Sequence, residues 1–421
     1  MGDGDEGAMY STRPASGYNV CADCIDDDKI KQFIERCAEE HFCDFCGHEN
    51  DIKDIAAPLD EVVEFMHRSI AREYQRAVEA LGYETAEGGY QGIYWDSEEL
   101  LTGVIGLSLP NDDDGQLLDI IVDCLGCEPW CERNPYSLSE DEKLAYSWEH
   151  FCELIKHERR YFFLKQAQQH APDLSEHLSP GELLQLIGDT VIEHGLVQTL
   201  PQGTLIHRAR RQKPGEALES SFDLGPPLPE AAIRSNRMSP AGIVMFYGSS
   251  EPETAIAEID DDPTLGIVVG TFKTTKDLRV LDLTNLPERI SFFQPESSCD
   301  RYALNFLHKF VRSLAEKVEP GDREHIEYVP TQVVTEWFRS VFQHGDSQID
   351  GIYYPSAPRK GGRSIVLFAD RDNLRLTPEE CKDLIASDPT RAWGLQLYQE
   401  KTWLQLVQVI PIRQPKYPQS A

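Results

Sequence analysis

Positive charge is scarce in this chain. Its 421 residues contain 40 Lys and Arg against 72 Asp and Glu, which gives a formal net charge of −32 at pH 7. Contacts between phosphate and Lys or Arg supply most of a protein's non-specific affinity for nucleic acid. This balance therefore disfavours direct nucleic-acid binding, and we interpret the acidic excess mainly as a source of solubility.

Long apolar runs are also missing. No stretch approaches the roughly eighteen consecutive apolar residues that a transmembrane helix requires. The first residues are acidic and glycine-rich, unlike a secretory signal. We therefore expect no membrane span and a cytoplasmic location. In that compartment the eleven cysteines are better candidates for metal ligands than for disulfides, wherever their spacing is suitable.

The signatures of several common enzyme classes are absent. The sequence has no G-x-S-x-G, no H-E-x-x-H and no Walker A lysine loop. These absences argue against the usual hydrolase, zinc protease and nucleoside-triphosphatase interpretations.

Composition and hydrophobic periodicity divide the chain into five parts. Residues 1–18 are polar and predicted to be disordered. Residues 19–55 hold five of the eleven cysteines, and residues 56–196 have mainly helical periodicity. Residues 197–412 alternate short β-rich runs with helices, and 413–421 form a tail. We predict an all-α domain followed by an α+β domain.

Two long helices are predicted in the helical part. Apolar spacing predicts the first over residues 59–81. Ser139 and Glu142 predict a capping box at the start of the second, which would continue to His170. Between them, the Gly- and Tyr-rich stretch 85–95 is predicted to be a loop.

Two cysteine pairs have the spacing of a four-thiolate metal site. Cys21 and Cys24 enclose two residues, as do Cys43 and Cys46, and eighteen residues separate the pairs. Two such turns can aim four thiolates at one ion in the tetrahedral geometry of zinc. We predict a structural zinc knuckle, because four protein ligands leave no coordination position open. The alternative is four unrelated reduced cysteines.

A second CxxC lies further along the chain. Cys124 and Cys127 have Cys131 nearby but no matching second pair. A redox or metal role is one interpretation of these residues. Free thiols are the favoured one.

Three residues of the α+β part are candidates for function. Arg208 interrupts an apolar run and is either ion-paired in the core or aimed into a pocket. Ser250 and Glu253 predict a capping box that starts a helix, on which Glu258 stands beside the apolar face. Partial burial and full solvation of that carboxylate are the alternatives. Ser356 stands at a strand end, where either a turn residue or a functional one is expected.

The order of these residues resembles the RES domain family, which is named for its arginine, glutamate and serine. The resemblance covers about residues 200–412, and it departs from the family at His207, where a tyrosine is common. The matching residues are Arg208 in LIHRAR, Arg237, Tyr247 and Glu258 in NRMSPAGIVMFYGSSEPETAIAEI, and Ser356 in DGIYYPSAP, which GGRSIVLF follows.

The resemblance implies an ADP-ribosyltransferase-like fold and cleavage of NAD, by hydrolysis or with phosphate as acceptor. Arg208 and Arg237 would anchor the pyrophosphate, since guanidinium groups present a planar fork of donors. Glu258 would stabilise positive charge on the ribose as nicotinamide leaves. Ser356 would position that ribose, and Tyr247 would pack against a ring.

The same resemblance implies a biological setting. RES proteins act as toxins and are commonly paired with an antitoxin that occludes the active site. We therefore expect NAD as substrate and an antitoxin or regulatory protein as partner. Two alternatives stay open, namely an ADP-ribosyltransferase acting on a protein or nucleic acid, and a non-enzymatic zinc-scaffolded interaction module.

The N-terminal half resembles the HEPN/RES N-terminal domain. The resemblance rests on the two CxxC turns and on WCERNPYS and WEHFCELIKHERRYFF. HEPN ribonucleases carry an arginine followed four to six residues later by a histidine. Here His157 precedes Arg159 and Arg160 instead, so ribonuclease activity is not predicted.

Overall fold

The computed structural model describes residues 12–15, 17–85, 88–162, 177–233, 235–294, 298–315, 324–387 and 402–416. Most of the predicted tail 1–18, part of the tail 413–421 and the end of the second predicted helix, 163–170, lie outside these ranges. Within them, no helix combines the length and the apolar composition that crossing a bilayer requires.

The chain divides into two compact units, and neither is continuous in sequence. Unit 1 comprises Met1–Lys143 and Arg289–Tyr302, and unit 2 comprises Leu144–Glu288 and Ala303–Ala421. A short segment between two parts of unit 2 therefore belongs to unit 1.

Both units contain helices and strands. The helices, in chain order, are α1 (Asp28–Cys37), α2 (Leu59–Glu73), α3 (Ala77–Ala80), α4 (Gln116–Leu125), α5 (Glu140–Glu153), α6 (Pro180–Glu193), α7 (Ser221–Leu224), α8 (Pro252–Ala257), α9 (Ser298–Ala315), α10 (Glu324–Glu327), α11 (Val329–Ser340) and α12 (Pro378–Ser387). The strands are β1 (Asn19–Cys21), β2 (Ala56–Pro58), β3 (Tyr74–Arg76), β4 (Tyr83–Glu84), β5 (Gly89–Tyr90), β6 (Trp130–Glu132), β7 (Val197–Leu200), β8 (Leu205–Gln212), β9 (Phe246–Ser249), β10 (Gly266–Thr274), β11 (Leu278–Asp282), β12 (Gly351–Pro355), β13 (Arg363–Leu367), β14 (Leu374–Arg375) and β15 (Leu404–Arg413).

Unit 1 contains short strands as well as helices, so the expectation of an all-α domain was too simple. In the described residues β1 pairs with β2, β3 with β6 and β4 with β5, all antiparallel. The predicted helix 59–81 ends at Glu73, because Tyr74–Arg76 leaves it to pair with Trp130–Glu132. The predicted loop 85–95 overlaps the β4–β5 hairpin.

The second predicted helix has the expected start but ends early. The Glu142 amide donates to Ser139 Oγ at 3.2 Å, and the Ser139 amide donates to Glu142 Oε2 at 3.1 Å, which confirms the capping box. After α5 the chain forms a π-helical turn over Leu154–Glu158, and Arg159 is extended. The helix therefore stops before the predicted His170.

The core of unit 1 includes a residue from its short, distant segment. Phe293 is 1% exposed and belongs to the same buried cluster as residues of α1, α2 and α4. Two polar contacts anchor the segment as well. Arg301 Nη2 lies 2.6 Å from Glu73 Oε2, and Ser291 Oγ donates to Asp27 Oδ2 at 2.7 Å.

Unit 2 is built on a mixed nine-stranded sheet with the order β14-β15-β10-β8-β9-β13-β12-β11-β7. The β11–β12 and β14–β15 pairs are parallel, whereas the other neighbours are antiparallel. The predicted mixture of strands and helices is therefore present in this part of the chain. One side of the sheet meets α8, where Ala255 packs with Ala209, Ile267 and Val269.

Phe293→Ala should destabilise unit 1 by about 3–5 kcal/mol, because the change removes a buried ring and leaves a cavity. Amide hydrogen exchange in α1 and α2 would report the loss. Ile52→Ala is the control, since that side chain is 94% exposed. Equal exchange rates in the two variants would contradict the assignment of Phe293 to this core.

Candidate active site

A cavity of about 890 Å³ lies in unit 2 beside β8 and β9. These neighbouring strands pair at one position, His207 with Ser249. Residues 207–210 and 247–249 both line the cavity, so it lies where the two strands separate. Its volume is within the range of ordinary small-molecule sites.

Glu258 stands at the C-terminal end of α8 and lines this cavity. Ser356 Oγ donates to Glu258 Oε1 at 2.7 Å, and Ser364 Oγ donates to the same oxygen at 3.0 Å. Both serines are buried, whereas Glu258 is exposed. Glu258 is thus exposed, yet two hydrogen bonds to one of its oxygens hold the carboxylate in place, so it is not freely solvated.

The start of α8 differs from the prediction. Its N-cap is Glu251, with Pro252 at the first helical position, and Ser250 forms no capping box. The Ser250 amide instead donates to the Arg363 carbonyl at 3.0 Å, so this residue continues the pairing of β9 with β13. The helix thus follows β9 almost directly, which fixes the position of Glu258 relative to the strands.

Arg208 lines the same cavity without an acidic partner. The Nη1 atom of Arg208 is buried and has no hydrogen-bond partner among the described residues. Arg208 also forms no ion pair with any of these residues. Its guanidinium carbon lies 5.2 Å from the centre of the Phe246 ring. Burial, aided by the nearby charge of Arg210, lowers the pKa of Arg208. The structure thus favours the pocket interpretation over a core ion pair.

Arg237 and Tyr247 complete the set of residues that the sequence singled out. Both line the cavity. The Tyr247 hydroxyl lies 2.9 Å from Ser239 Oγ, and burial raises the pKa of Tyr247 to about 12, so the phenol is neutral at physiological pH. The Arg237 guanidinium lies 5.7 Å from the centre of the Tyr328 ring.

The charge of the cavity is opposite to that of the whole chain. Four basic residues line it, namely Arg208, Arg210, Lys213 and Arg237, against the single carboxylate of Glu258. Such a concentration of cations in a protein of net charge −32 favours an anionic ligand.

Three residues of this site were not singled out by the sequence analysis. Arg210 and Lys213 follow Arg208 along the chain, and strand alternation alone would place Arg210 on the same face as Arg208. Ser364 pairs with Tyr354 across the β12–β13 hairpin. That register could have identified it as a neighbour of Ser356.

The four cysteines of the predicted knuckle lie together in unit 1, with all four sulfur atoms within 4.8 Å of one another. Cys21 Sγ lies 3.5 Å from Cys46 Sγ, and Cys24 Sγ lies 3.6 Å from Cys43 Sγ. The thiols affect one another strongly: hydrogen bonds from Cys21 and Cys24 lower the pKa of Cys43, while hydrogen bonds with Cys21 and Cys43 raise the pKa of Cys24. This group has the donor set and the closeness to hold a metal ion.

The second CxxC forms no comparable group. Cys124 and Cys131 are buried, and Cys127 is exposed. Within the described part of the chain these three are not gathered around a common point as metal ligands would be. Burial raises the pKa of Cys124 and of Cys131, so both favour the thiol form.

Comparison with known families agrees with this organisation. The profile of HEPN/RES N-terminal domain 1 matches residues 36–169, and the profile of the RES domain matches residues 205–397. The chain carries a RES domain behind a HEPN/RES N-terminal domain. Both resemblances inferred from the sequence are thus confirmed. No curated protein and no solved structure matches the chain.

The RES match includes every cavity residue named above, but it does not cover the whole sheet of unit 2. Strands β7 and β15 lie outside it. In unit 1, Cys21 and Cys24 precede the N-terminal match, whereas Cys43 and Cys46 lie within it.

Arg208→Met should raise the melting temperature of the ligand-free chain, because a partly buried charge without a counter-charge is replaced by an apolar side chain of similar length. We expect a gain on the order of 1 kcal/mol. Scanning calorimetry of the ligand-free protein would measure it.

Arg363→Met is the matched control. Arg363 Nη2 lies 2.8 Å from Oδ2 of the buried Asp282, so this change leaves a carboxylate without its cation and should cost about 2 kcal/mol. If both variants lost stability equally, the charge of Arg208 would have to be balanced by an acidic group within the protein, which would contradict its assignment as an uncompensated charge.

Proposed function

We propose that the RES domain cleaves the bond between nicotinamide and ribose in NAD, with water or phosphate as acceptor. The observation that carries this proposal is a single cavity containing an uncompensated arginine, Arg208, and a carboxylate, Glu258, fixed by two serines. The RES family is associated with NAD-related toxins, which supports the same chemistry. We also propose an ADP-ribosyltransferase-like fold and a catalytic domain at 197–412.

Recognition of the dinucleotide would depend on the arginines. The pyrophosphate of NAD carries one negative charge on each phosphate, and guanidinium groups bind such oxygens through paired N–H donors. We assign this contact to Arg208 and Arg237. Binding would supply the partner that the buried Nη1 of Arg208 lacks among the described residues.

Bond cleavage would depend on Glu258. The C–N bond breaks with its electron pair leaving on nicotinamide, which departs as a neutral molecule while positive charge develops on the ribose. A carboxylate beside the sugar stabilises that charge. Because Ser356 and Ser364 occupy Oε1, we expect Oε2 to face the ribose. An oxygen of water or phosphate then bonds to the ribose carbon, and the proton released from water passes to solvent.

Glu258→Gln should lower kcat for nicotinamide release roughly 100-fold or more, since the amide keeps the shape but loses the charge. The assay is incubation of purified chain with NAD, with and without phosphate, followed by quantification of nicotinamide. Glu253→Gln is the control, as this exposed residue lies on the same helix but does not line the cavity. Absence of nicotinamide release by the unaltered chain would refute the proposal.

We further propose that the four-cysteine group binds zinc as a structural ion. Four thiolates suit tetrahedral Zn²⁺ and leave no open position for substrate. The group lies in unit 1, whereas the residues assigned to NAD lie in unit 2. The ion would stabilise the N-terminal fold and would take no part in the reaction.

Elemental analysis should find about one zinc per chain, and Cys24→Ser should remove it, because a tetrahedral site loses most of its affinity with one thiolate. Cys37→Ser is the matched control, since Cys37 lies between the two pairs but outside the group. Full zinc content in the Cys24 variant would exclude this ligand set.

In the cell, we propose that the chain acts as a growth-arresting toxin or defence effector restrained by an antitoxin. Depletion of NAD would arrest growth, and a partner covering the cavity would prevent it. This role follows from the proposed chemistry and from the family, and it fails if the chain does not consume NAD.

A further inference from the structure

We propose that Arg210 and Lys213 form a second anion subsite of the cavity, which binds a dianionic phosphate in addition to the pyrophosphate of the dinucleotide. This inference rests on the proposed function for the identity of the first ligand. The second ligand is either free inorganic phosphate or a phosphate ester on the adenosine ribose, as in NADP.

Three of the four basic residues that line the cavity lie on β8 or directly after it. Arg208 and Arg210 are two apart on β8, so their side chains leave the same face of the sheet, and Lys213 follows the end of the strand at Gln212. At about 3.3 Å per residue, Arg208 and Lys213 are roughly 16 Å apart along the chain. One pyrophosphate cannot occupy that whole length.

Arg210 is positioned but not neutralised. Its Nη2 donates to the Gly225 carbonyl at 2.8 Å, whereas its buried Nε has no hydrogen-bond partner among the described residues. Asp223 and Glu216 are within electrostatic range, but in the described part of the chain neither forms an ion pair with Arg210. The Asp223 carboxylate instead accepts from Ser220 Oγ at 2.7 Å. A buried donor of this kind favours an external acceptor.

The charges of the cavity lead to the same conclusion. If Arg208 and Arg237 neutralise the pyrophosphate and Glu258 faces the ribose, Arg210 and Lys213 are left without an ion-pair partner among the described residues, although Asp223 and Glu216 lie within electrostatic range of Arg210. Two further cations match a phosphate monoester or inorganic phosphate, each of which carries close to two negative charges near neutral pH. Lys213 is exposed, so a ligand can reach it from solvent.

Equilibrium binding to the full chain tests this subsite without turnover. ADP-ribose, 2′-phospho-ADP-ribose and inorganic phosphate are titrated by calorimetry, the last into protein saturated with ADP-ribose. The variant is Arg210→Gln with Lys213→Gln. Its control is Arg375→Gln with Lys273→Gln, which removes the same charge at exposed positions away from the cavity.

The two sources of phosphate give different results. If the ligand is inorganic phosphate, the variant should bind it at least about fivefold more weakly than the control does. If the ligand is the ester, the unaltered chain should prefer 2′-phospho-ADP-ribose over ADP-ribose by a similar factor, and the variant should lose this preference. In either case affinity for ADP-ribose itself should match that of the control.

Two outcomes would overturn the subsite. Arg210 and Lys213 would belong to the pyrophosphate contact if the variant lost affinity for ADP-ribose as strongly as for the other ligands. Arg210 and Lys213 would bind neither inorganic phosphate nor the phosphate ester if the variant and the control had the same affinity for every ligand. Failure of the unaltered chain to bind ADP-ribose would count against the proposed function instead. Binding of phosphate that is weakened in the Arg210→Gln, Lys213→Gln variant but not in the control would still support the subsite.

Discussion

The hydrogen bonds from two buried serines to one oxygen of Glu258 are the constraint around which the candidate site is organised. Ser356 follows β12, Ser364 lies in β13, and Glu258 ends α8, so these contacts join three elements at one point. The hairpin register fixes the serines relative to each other. Since α8 follows β9 almost directly, the carboxylate has little freedom to move, and its second oxygen can be held ready for a substrate.

The same cavity also contains a concentration of positive charge that the described residues do not neutralise with ion pairs. Arg208 has no described ion-pair partner, although acidic residues greatly outnumber basic ones in the chain. A partly buried charge without a counter-charge lowers stability, and proteins commonly retain such a cost at sites of function. The net charge of −32 on the whole chain would also restrict which anions enter this basic cavity, since only a ligand with a strong local interaction overcomes the general repulsion.

The sequence was most informative where local chemistry determines structure. The cysteine spacing predicted the grouping of Cys21, Cys24, Cys43 and Cys46, and β-rich runs predicted the main strands of unit 2. The sequence was least informative where a structural feature depends on a residue that is distant along the chain. The break in the first helix at Tyr74 depends on pairing with a strand more than fifty residues away. The contact of Ser364 with Glu258 likewise requires the sheet order, which no local pattern contains.

The position of Phe293 has a consequence for the order in which the protein folds. This ring completes the interior of unit 1, yet it is encoded after β8, β9, β10 and β11 of the RES sheet. During synthesis, the hydrophobic core of unit 1 therefore stays incomplete until more than half of the polypeptide has left the ribosome. Chaperone binding to nascent chains is accordingly expected to persist well past the apparent end of the N-terminal domain.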